Sequence, residues 1–340
     1  MNPTAPDTHR LSPDLALLGR PARRRLPVCD HYAGVEARMR KSLELQARMG
    51  PVFDVTLDLE DGAPVGQEMA HCDLIHELLA SPDNVHGRVG VRVHPVDHPM
   101  FRPELRALLR YHAGRTHPLA YLMVPKLRHL HDAQEACSAI HHAALEADYP
   151  HPIPVQVLIE THGALIDVFD IAALPEIESL SFGLMDFVSD HDGAIPADAL
   201  TAEGQFSHPL VCRAKTRIAA AAHAHGKVPS HCVVTELNQQ GVLASAVQRA
   251  RHQFAYTRMW SIHPSQIPVI LAAYTPSQDE VDEAVALLSA AQDAQWGPIR
   301  HADRLHDRAS YRYFWSLLQR ARQTGLALPQ EALKRFFSQG

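Results

Sequence analysis

The sequence predicts an α/β fold, a (β/α)8 TIM barrel with a C-terminal helical extension. Short apolar segments of the kind found in buried parallel strands alternate with segments of helical periodicity. Counting from Arg25 gives eight such units over about 250 residues, the usual size of a closed eight-stranded barrel. No G-x-G-x-x-G motif follows the first strand. This argues against the alternative, a doubly wound open sheet.

Turn residues separate each apolar run from the helix that follows it. The second run alternates, is rich in branched residues and ends at the acidic pair Glu60 and Asp61. The fifth ends at Glu160, and the helix after it is stopped by Pro175. The predicted strands are approximately residues 25–28, 52–59, 89–93, 120–124, 155–159, 180–183, 227–233 and 258–262.

The helices between these strands are indicated by apolar residues three and four positions apart. In the second helix this spacing places Val65, Met69, Cys72, Ile75 and Leu79 on the inward face. We expect barrel helices at approximately residues 35–49, 65–79, 103–111, 130–146, 161–174, 210–225 and 237–254.

Three regions are predicted along the chain: a flexible leader over residues 1–20, the barrel over residues 21–275 and the helical extension over residues 276–340. The pair Ser277 and Glu280 has the spacing of a capping box, which begins the first extension helix. Residues 295–308 are polar and are expected to be an irregular connection. A last helix with several aromatic residues is predicted over about residues 310–322.

Composition and charge exclude several classes of protein. The net charge of −6 argues against a nucleic-acid binder that depends on phosphate neutralisation. The basic run at residues 20–25 is a local exception, and it is either a solvated arm or a contact for an anion. No apolar stretch is long enough to cross a membrane. The first residues do not resemble a secretory signal, so a cytoplasmic location is expected. The five cysteines form no C-x-x-C pair and are expected to be reduced.

Catalytic groups of a parallel barrel lie where its strands end, because the loops there surround one mouth. Glu160 and Asp186 follow consecutive predicted strands, so their carboxylates are expected to face each other. Mg²⁺ typically takes one or two carboxylates and leaves room for water and substrate oxygens. The candidate residues at strand ends are Glu60, Asp61, Arg92, Lys126, Glu160, Asp186 and His263.

Arg92 allows two interpretations. It lies between Val91 and Val93 in an apolar strand, where an unpaired charge would be costly. Its guanidinium could therefore form a salt bridge with Asp58 or Glu60. Alternatively, it could bind the carboxylate or carbonyl group of a substrate through two parallel hydrogen bonds.

Six short motifs together resemble the citrate lyase beta subunit and malyl-CoA lyase family of the HpcH/HpaI aldolase superfamily. The resemblance covers roughly residues 25–320, and its motifs follow the expected order at the expected strand ends. They are DVTLDLEDG from Asp54, VRVHP from Val91, MVPK from Met123, IETHGAL from Ile159, SFGLMDFVSDHDG from Ser181 and SIHPSQI from Ser261.

The resemblance implies roles for individual residues. Glu160 and Asp186 would be ligands of Mg²⁺, or of Mn²⁺ in its place, and Arg92 would bind the substrate and take part in catalysis. Glu60, Asp61 and Lys126 would lie around the metal site, and Arg25 would contact the substrate. The C-terminal extension would pack on an adjacent subunit of a homo-oligomer, a trimer or a hexamer, and supply the acid Asp307 to its active site.

The implied activity is a Mg²⁺-dependent carbon–carbon lyase of the retro-Claisen or aldol type. Its substrate would be an acyl-CoA ester of a hydroxy acid, such as malyl-CoA or citramalyl-CoA, or a citryl-like thioester. One alternative is a CoA-independent class II aldolase for free 2-oxo acids. Another, from a different class, is a non-catalytic barrel subunit that binds small acids.

Overall fold

The computed structural model describes residues 12–19, 25–110, 117–149, 151–237 and 239–337. The chain divides into two compact units. One is Leu26–Ala273, and the other combines Met1–Arg25 with Tyr274–Gly340. Over the described ranges, every helix is too short or too polar to span a membrane.

Eight parallel strands form a closed barrel in chain order, and the first strand pairs with both the second and the eighth. This confirms the predicted (β/α)8 barrel. The strands are β1 (Cys29–Ala33), β2 (Phe53–Asp58), β3 (Val89–Arg92), β4 (Leu122–Val124), β5 (Val155–Ile159), β6 (Ile177–Phe182), β7 (Val228–His231) and β8 (Arg258–Ser261).

Helices connect the strands and continue into the second unit. Two 3-10 turns, Ala197–Leu200 and Gly204–Phe206, separate the two helices between β6 and β7. The helices are α1 (Pro13–Leu18), α2 (Glu36–Met49), α3 (Glu68–Leu79), α4 (Phe101–Arg110), α5 (Leu130–Glu146), α6 (His162–Ile166), α7 (Val168–Ala173), α8 (Leu184–Ser189), α9 (Pro209–Ala224), α10 (Gln240–Phe254), α11 (Gln266–Tyr274), α12 (Gln278–Asp293), α13 (Arg308–Gln323) and α14 (Gln330–Ala332).

Two local predictions in the barrel are wrong. The first strand begins at Cys29 rather than at residue 25, since Pro27 has no N–H to contribute to a strand ladder. The second barrel helix begins at Glu68, because Gly66 has a φ of 85° and ends a turn before it. As a result Val65 is 96% exposed instead of facing inward.

The second unit has its own apolar core, which contains Tyr311, Trp315 and Leu318 of α13. Leu17 of α1 also belongs to this core, and Asp14 accepts a hydrogen bond from Nε1 of Trp315 at 3.0 Å. Pro13–Leu18 is therefore an ordered helix, although a flexible leader was predicted there. Packing of this unit on a neighbouring subunit stays a prediction.

The predicted capping box of α12 is present, and Ser277 Oγ accepts a hydrogen bond from the Glu280 N–H at 3.2 Å. The connection predicted to be irregular instead contains an antiparallel hairpin, β9 (Ile299–His301) and β10 (Arg304–His306). Its turn residues Ala302 and Asp303 both have positive φ, the geometry of a tight hairpin turn.

Four buried side chains form an apolar layer between strands of the barrel. Tyr32 of β1 stacks on Trp260 of β8 with ring centroids 4.3 Å apart, and Met123 and Leu158 complete the layer. These four residues come from strands spread around the barrel. The guanidinium of Arg92 lies over the ring of Tyr32, with its Cζ 5.5 Å from the ring centroid.

Candidate active site at the carboxyl ends of the strands

Two carboxylates share one cavity at the carboxyl ends of β5 and β6. Glu160 directly follows β5, and Asp186 lies in the first turn of α8, just after β6. Both line a cavity of about 630 Å³ together with Lys126 and Pro95. The structure thus brings together the two residues that the sequence suggested as metal ligands.

The carboxylate of Glu160 is almost completely buried, with 2% of the residue exposed. Its Oε1 accepts a hydrogen bond from the main-chain N–H of Lys126 at 2.6 Å. Burial, and then the negative charge of Asp186, raise the pKa of Glu160 to about 8. A cation bound between the two carboxylates would relieve both effects.

Gly183 provides the space that the Glu160 side chain occupies. A Cβ built on this glycine would overlap Oε2 of Glu160 and lie 2.6 Å from its Cβ. Because the overlap includes Cβ, rotation of the carboxylate alone would not remove it. Gly183 was not among the site residues predicted from the sequence. The only sequence signal for it is that it directly follows β6.

The ammonium of Lys126 lies among the remaining acids of the site. It forms an ion pair with Glu60, and its Nζ is 3.0 Å from each carboxylate oxygen of Asp61. The same Nζ is 4.0 Å from Oδ1 of Asp186. The three predicted surrounding residues are therefore in mutual contact next to the cavity.

The guanidinium of Arg92 is held by two acids from β2 and the loop after it. Nε and Nη2 donate to the two carboxylate oxygens of Asp58 at 2.7 and 2.5 Å, and Nη1 is 3.1 Å from Oε2 of Glu60. Asp58 also accepts the main-chain N–H groups of Glu60 and Gly62. The salt-bridge interpretation is thus observed, and the hydrogen bonds to Asp58 use two of the five N–H groups of the guanidinium.

The donor set fits a hard divalent cation. Glu160 and Asp186 supply carboxylate oxygens, and Mg²⁺ is commonly held by one or two carboxylates with several waters. Among the residues that the structure describes, no group of three or more His, Cys, Asp or Glu side chains is placed to hold a metal. The remaining coordination positions would therefore belong to water and to oxygens of a ligand.

Three further candidates have local contacts of their own. His263 is exposed, and its Nδ1 is 2.8 Å from Oγ of Ser265. Asp307 caps the N-terminus of α13, accepting the N–H of Ala309 at 2.9 Å. Arg25 precedes β1 and donates to the side chain of Gln319. The predicted roles of Asp307 and Arg25 in catalysis and substrate binding stay predictions.

The chain is similar to a known protein family and to solved structures. The family model described as HpcH/HpaI aldolase/citrate lyase matches residues 42–264. The crystal structure of a citrate lyase from Burkholderia xenovorans LB400 is 54% identical, with a TM-score of 0.82 over 97% of this chain and 100% of that chain.

Two more distant proteins are also similar. The L-malyl-CoA/beta-methylmalyl-CoA lyase of Cereibacter sphaeroides is 27% identical over 253 residues, which are 71% of this chain and 77% of that protein. The protein CitE of Mycobacterium tuberculosis, solved with magnesium, acetoacetate and coenzyme A, is 22% identical with a TM-score of 0.65. It covers 88% of this chain and 100% of its own, and it shows the shared fold.

The family model covers well over half of the chain, and its span runs from α2 to the loop after β8. It includes both cavity carboxylates and Arg92. The chain therefore belongs to the HpcH/HpaI aldolase/citrate lyase family.

Proposed function

We propose that this chain is a Mg²⁺-dependent carbon–carbon lyase that cleaves the CoA thioester of a hydroxy acid such as malyl-CoA or citramalyl-CoA. The observation that supports it best is the pair Glu160 and Asp186 on one cavity. The name of the Cereibacter sphaeroides relative supports the substrate class. The Mycobacterium tuberculosis protein shares the fold and was solved with magnesium and coenzyme A.

Glu160 and Asp186 would hold the metal ion. When bound, it would supply electrostatic stabilisation of the negative charge that develops on a carbonyl or enolate oxygen during cleavage. The chain must supply the remaining functions, which are binding and orienting the acid and moving a proton.

Arg92 is the residue that we assign to binding the acid. Asp58 and Glu60 hold its guanidinium in place, so little side-chain freedom is lost when a substrate binds. N–H groups of the guanidinium that do not donate to Asp58 can donate to a carboxylate or oxo oxygen. We further propose that Asp307 of an adjacent subunit carries the proton to the departing carbon, which requires a homo-oligomer.

The proposal is tested by incubating the purified chain with malyl-CoA or citramalyl-CoA and following acetyl-CoA release with Mg²⁺ or with EDTA. Cleavage should require Mg²⁺ and should be lost in Glu160→Gln and Asp186→Asn, while both variants keep the wild-type circular dichroism spectrum. Glu44→Gln, at an exposed position of α2, is the matched control and should keep wild-type activity.

Other outcomes identify the alternatives. Full cleavage in EDTA would contradict a role of the metal. Cleavage of free hydroxy-oxo acids without cleavage of either thioester would indicate the CoA-independent aldolase. Failure to bind either Mg²⁺ or 2-oxo acids in isothermal titration calorimetry would indicate the non-catalytic subunit. The cytoplasmic location and the subunit number stay predictions.

A further inference from the structure

Lys126 has an unusual backbone at the centre of the candidate site. It follows β4, and its φ of 52° lies in the left-handed region, which residues other than glycine seldom adopt. Such conformations persist when surrounding contacts hold them, and they concentrate at functional sites. Here the surrounding contacts are the ion pairs of its own ammonium with Glu60 and Asp61.

This backbone conformation directs the main-chain N–H of Lys126 at Glu160. The N–H contacts Oε1 at 2.6 Å, while Gly183 borders Oε2 on the other side. The orientation of this carboxylate is therefore set by main-chain atoms on both sides. The Lys126 ammonium has its own partners, Glu60 and Asp61.

The ammonium has a different electrostatic effect. Its Nζ is 4.0 Å from Asp186, so its positive charge opposes the binding of a second cation at that carboxylate. It is also 32% exposed and lines the cavity, where it can attract an anionic ligand. The main-chain N–H of Lys126 thus favours metal binding, whereas its ammonium opposes it.

We propose that Lys126 is a positioning residue with two separable functions, an inference that rests on the proposed function. Its main-chain N–H, presented by the left-handed backbone, orients Glu160 for the metal ion. Its ammonium holds Glu60 and Asp61, stabilises the left-handed backbone and attracts the anionic acid, at some cost in metal affinity.

Two substitutions separate these functions. Lys126→Gly removes the ammonium and keeps the left-handed conformation without strain, because glycine has no Cβ. Lys126→Ala removes the ammonium and its ion pairs but keeps the Cβ that disfavours the left-handed conformation, so the N–H should turn away from Glu160. The probes are Mg²⁺ alone, and pyruvate as a 2-oxo acid in saturating Mg²⁺, both measured by isothermal titration calorimetry.

We expect Lys126→Gly to bind Mg²⁺ as tightly as the wild type or up to about tenfold more tightly. Lys126→Ala should bind Mg²⁺ at least about threefold more weakly than Lys126→Gly. Both should bind pyruvate at least about tenfold more weakly than the wild type. Ala255→Gly, at the left-handed C-cap of α10, is the matched control for a glycine at positive φ and should leave both affinities unchanged.

Two results would overturn this inference while leaving the proposed function intact. One is equal Mg²⁺ affinity in the glycine and alanine variants. The other is a loss of Mg²⁺ affinity of about tenfold or more in Lys126→Gly with an unchanged circular dichroism spectrum, which would show that the ammonium supports metal binding instead of opposing it. If the wild type itself binds no Mg²⁺, the proposed function and the inference both fail.

Discussion

Asp58 and Arg92 are direct neighbours in the barrel wall, paired between β2 and β3, and their side chains form an ion pair with two parallel hydrogen bonds. Asp58 is 2% and Arg92 9% exposed. Because the pair lies at the ends of adjacent strands, it holds the guanidinium at the barrel mouth. Its orientation is fixed before any ligand arrives.

Asp58→Asn should destabilise the fold and weaken acid binding together. Removing one partner leaves the buried guanidinium without its main counter-charge, which costs about 3 kcal/mol of the free energy of unfolding. Urea denaturation measures this loss. Glu36→Gln, which removes one of the two acid partners of Arg40 and leaves Glu77, should cause no measurable change, because the Arg40 side chain is 42% exposed. Equal effects of the two substitutions would contradict the importance assigned to burial.

Binding of Mg²⁺ should depend on pH through Glu160. Its pKa of about 8 means that the carboxyl must lose a proton before it can bind a cation at neutral pH. Apparent affinity should therefore rise by up to about tenfold per pH unit and level off above about pH 8. Titration calorimetry between about pH 6 and pH 9 would show it. A flat profile would contradict a protonated Glu160.

The metal-free protein should show the opposite trend in stability. The raised pKa means that the folded state keeps the Glu160 proton at pH values where the unfolded chain has lost it. The free energy of unfolding should therefore fall between about pH 4 and pH 8, by at most about 1.4 kcal/mol per pH unit from this group. The difference between wild type and Glu160→Gln, measured with urea across this range, isolates the contribution.

Gly183→Ala should lower Mg²⁺ affinity by at least about tenfold, because the new methyl group would displace the Glu160 side chain. Gly183 has a φ of −89°, so alanine adds no backbone strain of its own. Gly241→Ala, in α10 with open space around the added Cβ, is the control and should leave affinity unchanged. Wild-type affinity in Gly183→Ala would show that Glu160 can rearrange freely.

Lys215→Met should stabilise the protein at pH 7. Lys215 of α9 is fully buried, bonded to Gln205 and 3.7 Å from the centre of the Phe206 ring. Burial lowers the pKa of Lys215 from 10.5 to about 8. The free energy of unfolding therefore falls as pH falls from about 10.5 to about 8, and below about pH 8 the full cost of the buried charge applies. Methionine should raise the free energy of unfolding by about 1 kcal/mol at pH 7.

Most of this stabilisation should disappear by about pH 10.5, where the lysine is neutral in the folded state and half neutral in the unfolded chain. Calorimetric melting at both pH values measures the change. Lys227→Met provides the contrast, because Lys227 donates to the carbonyls of Leu174 and Ile177 and its removal should destabilise the fold. A destabilised Lys215→Met at pH 7 would contradict the assigned cost of burial.

Helices and strands were predicted accurately where neighbouring residues in the sequence decide their structure. Strand β5 was predicted with both bounds correct, because its apolar run is continuous and lies between Pro154 and Glu160. The hairpin of β9 and β10 was missed, since its turn uses Ala302 and Asp303 at positive φ instead of the usual glycine. Helix α1 was missed because its packing partner, Trp315, lies far along the chain.

The sequence alone determined the barrel and the placement of Glu160, Asp186 and Arg92 at strand ends. Periodicity is a local property, and parallel strands in chain order necessarily bring their carboxyl ends to one mouth. Only the tertiary structure decided that Asp58 holds Arg92 and that the Lys126 N–H holds Glu160. It also raised the pKa of Glu160 to about 8, because desolvation and charge repulsion depend on distances in space that spacing along the chain does not specify.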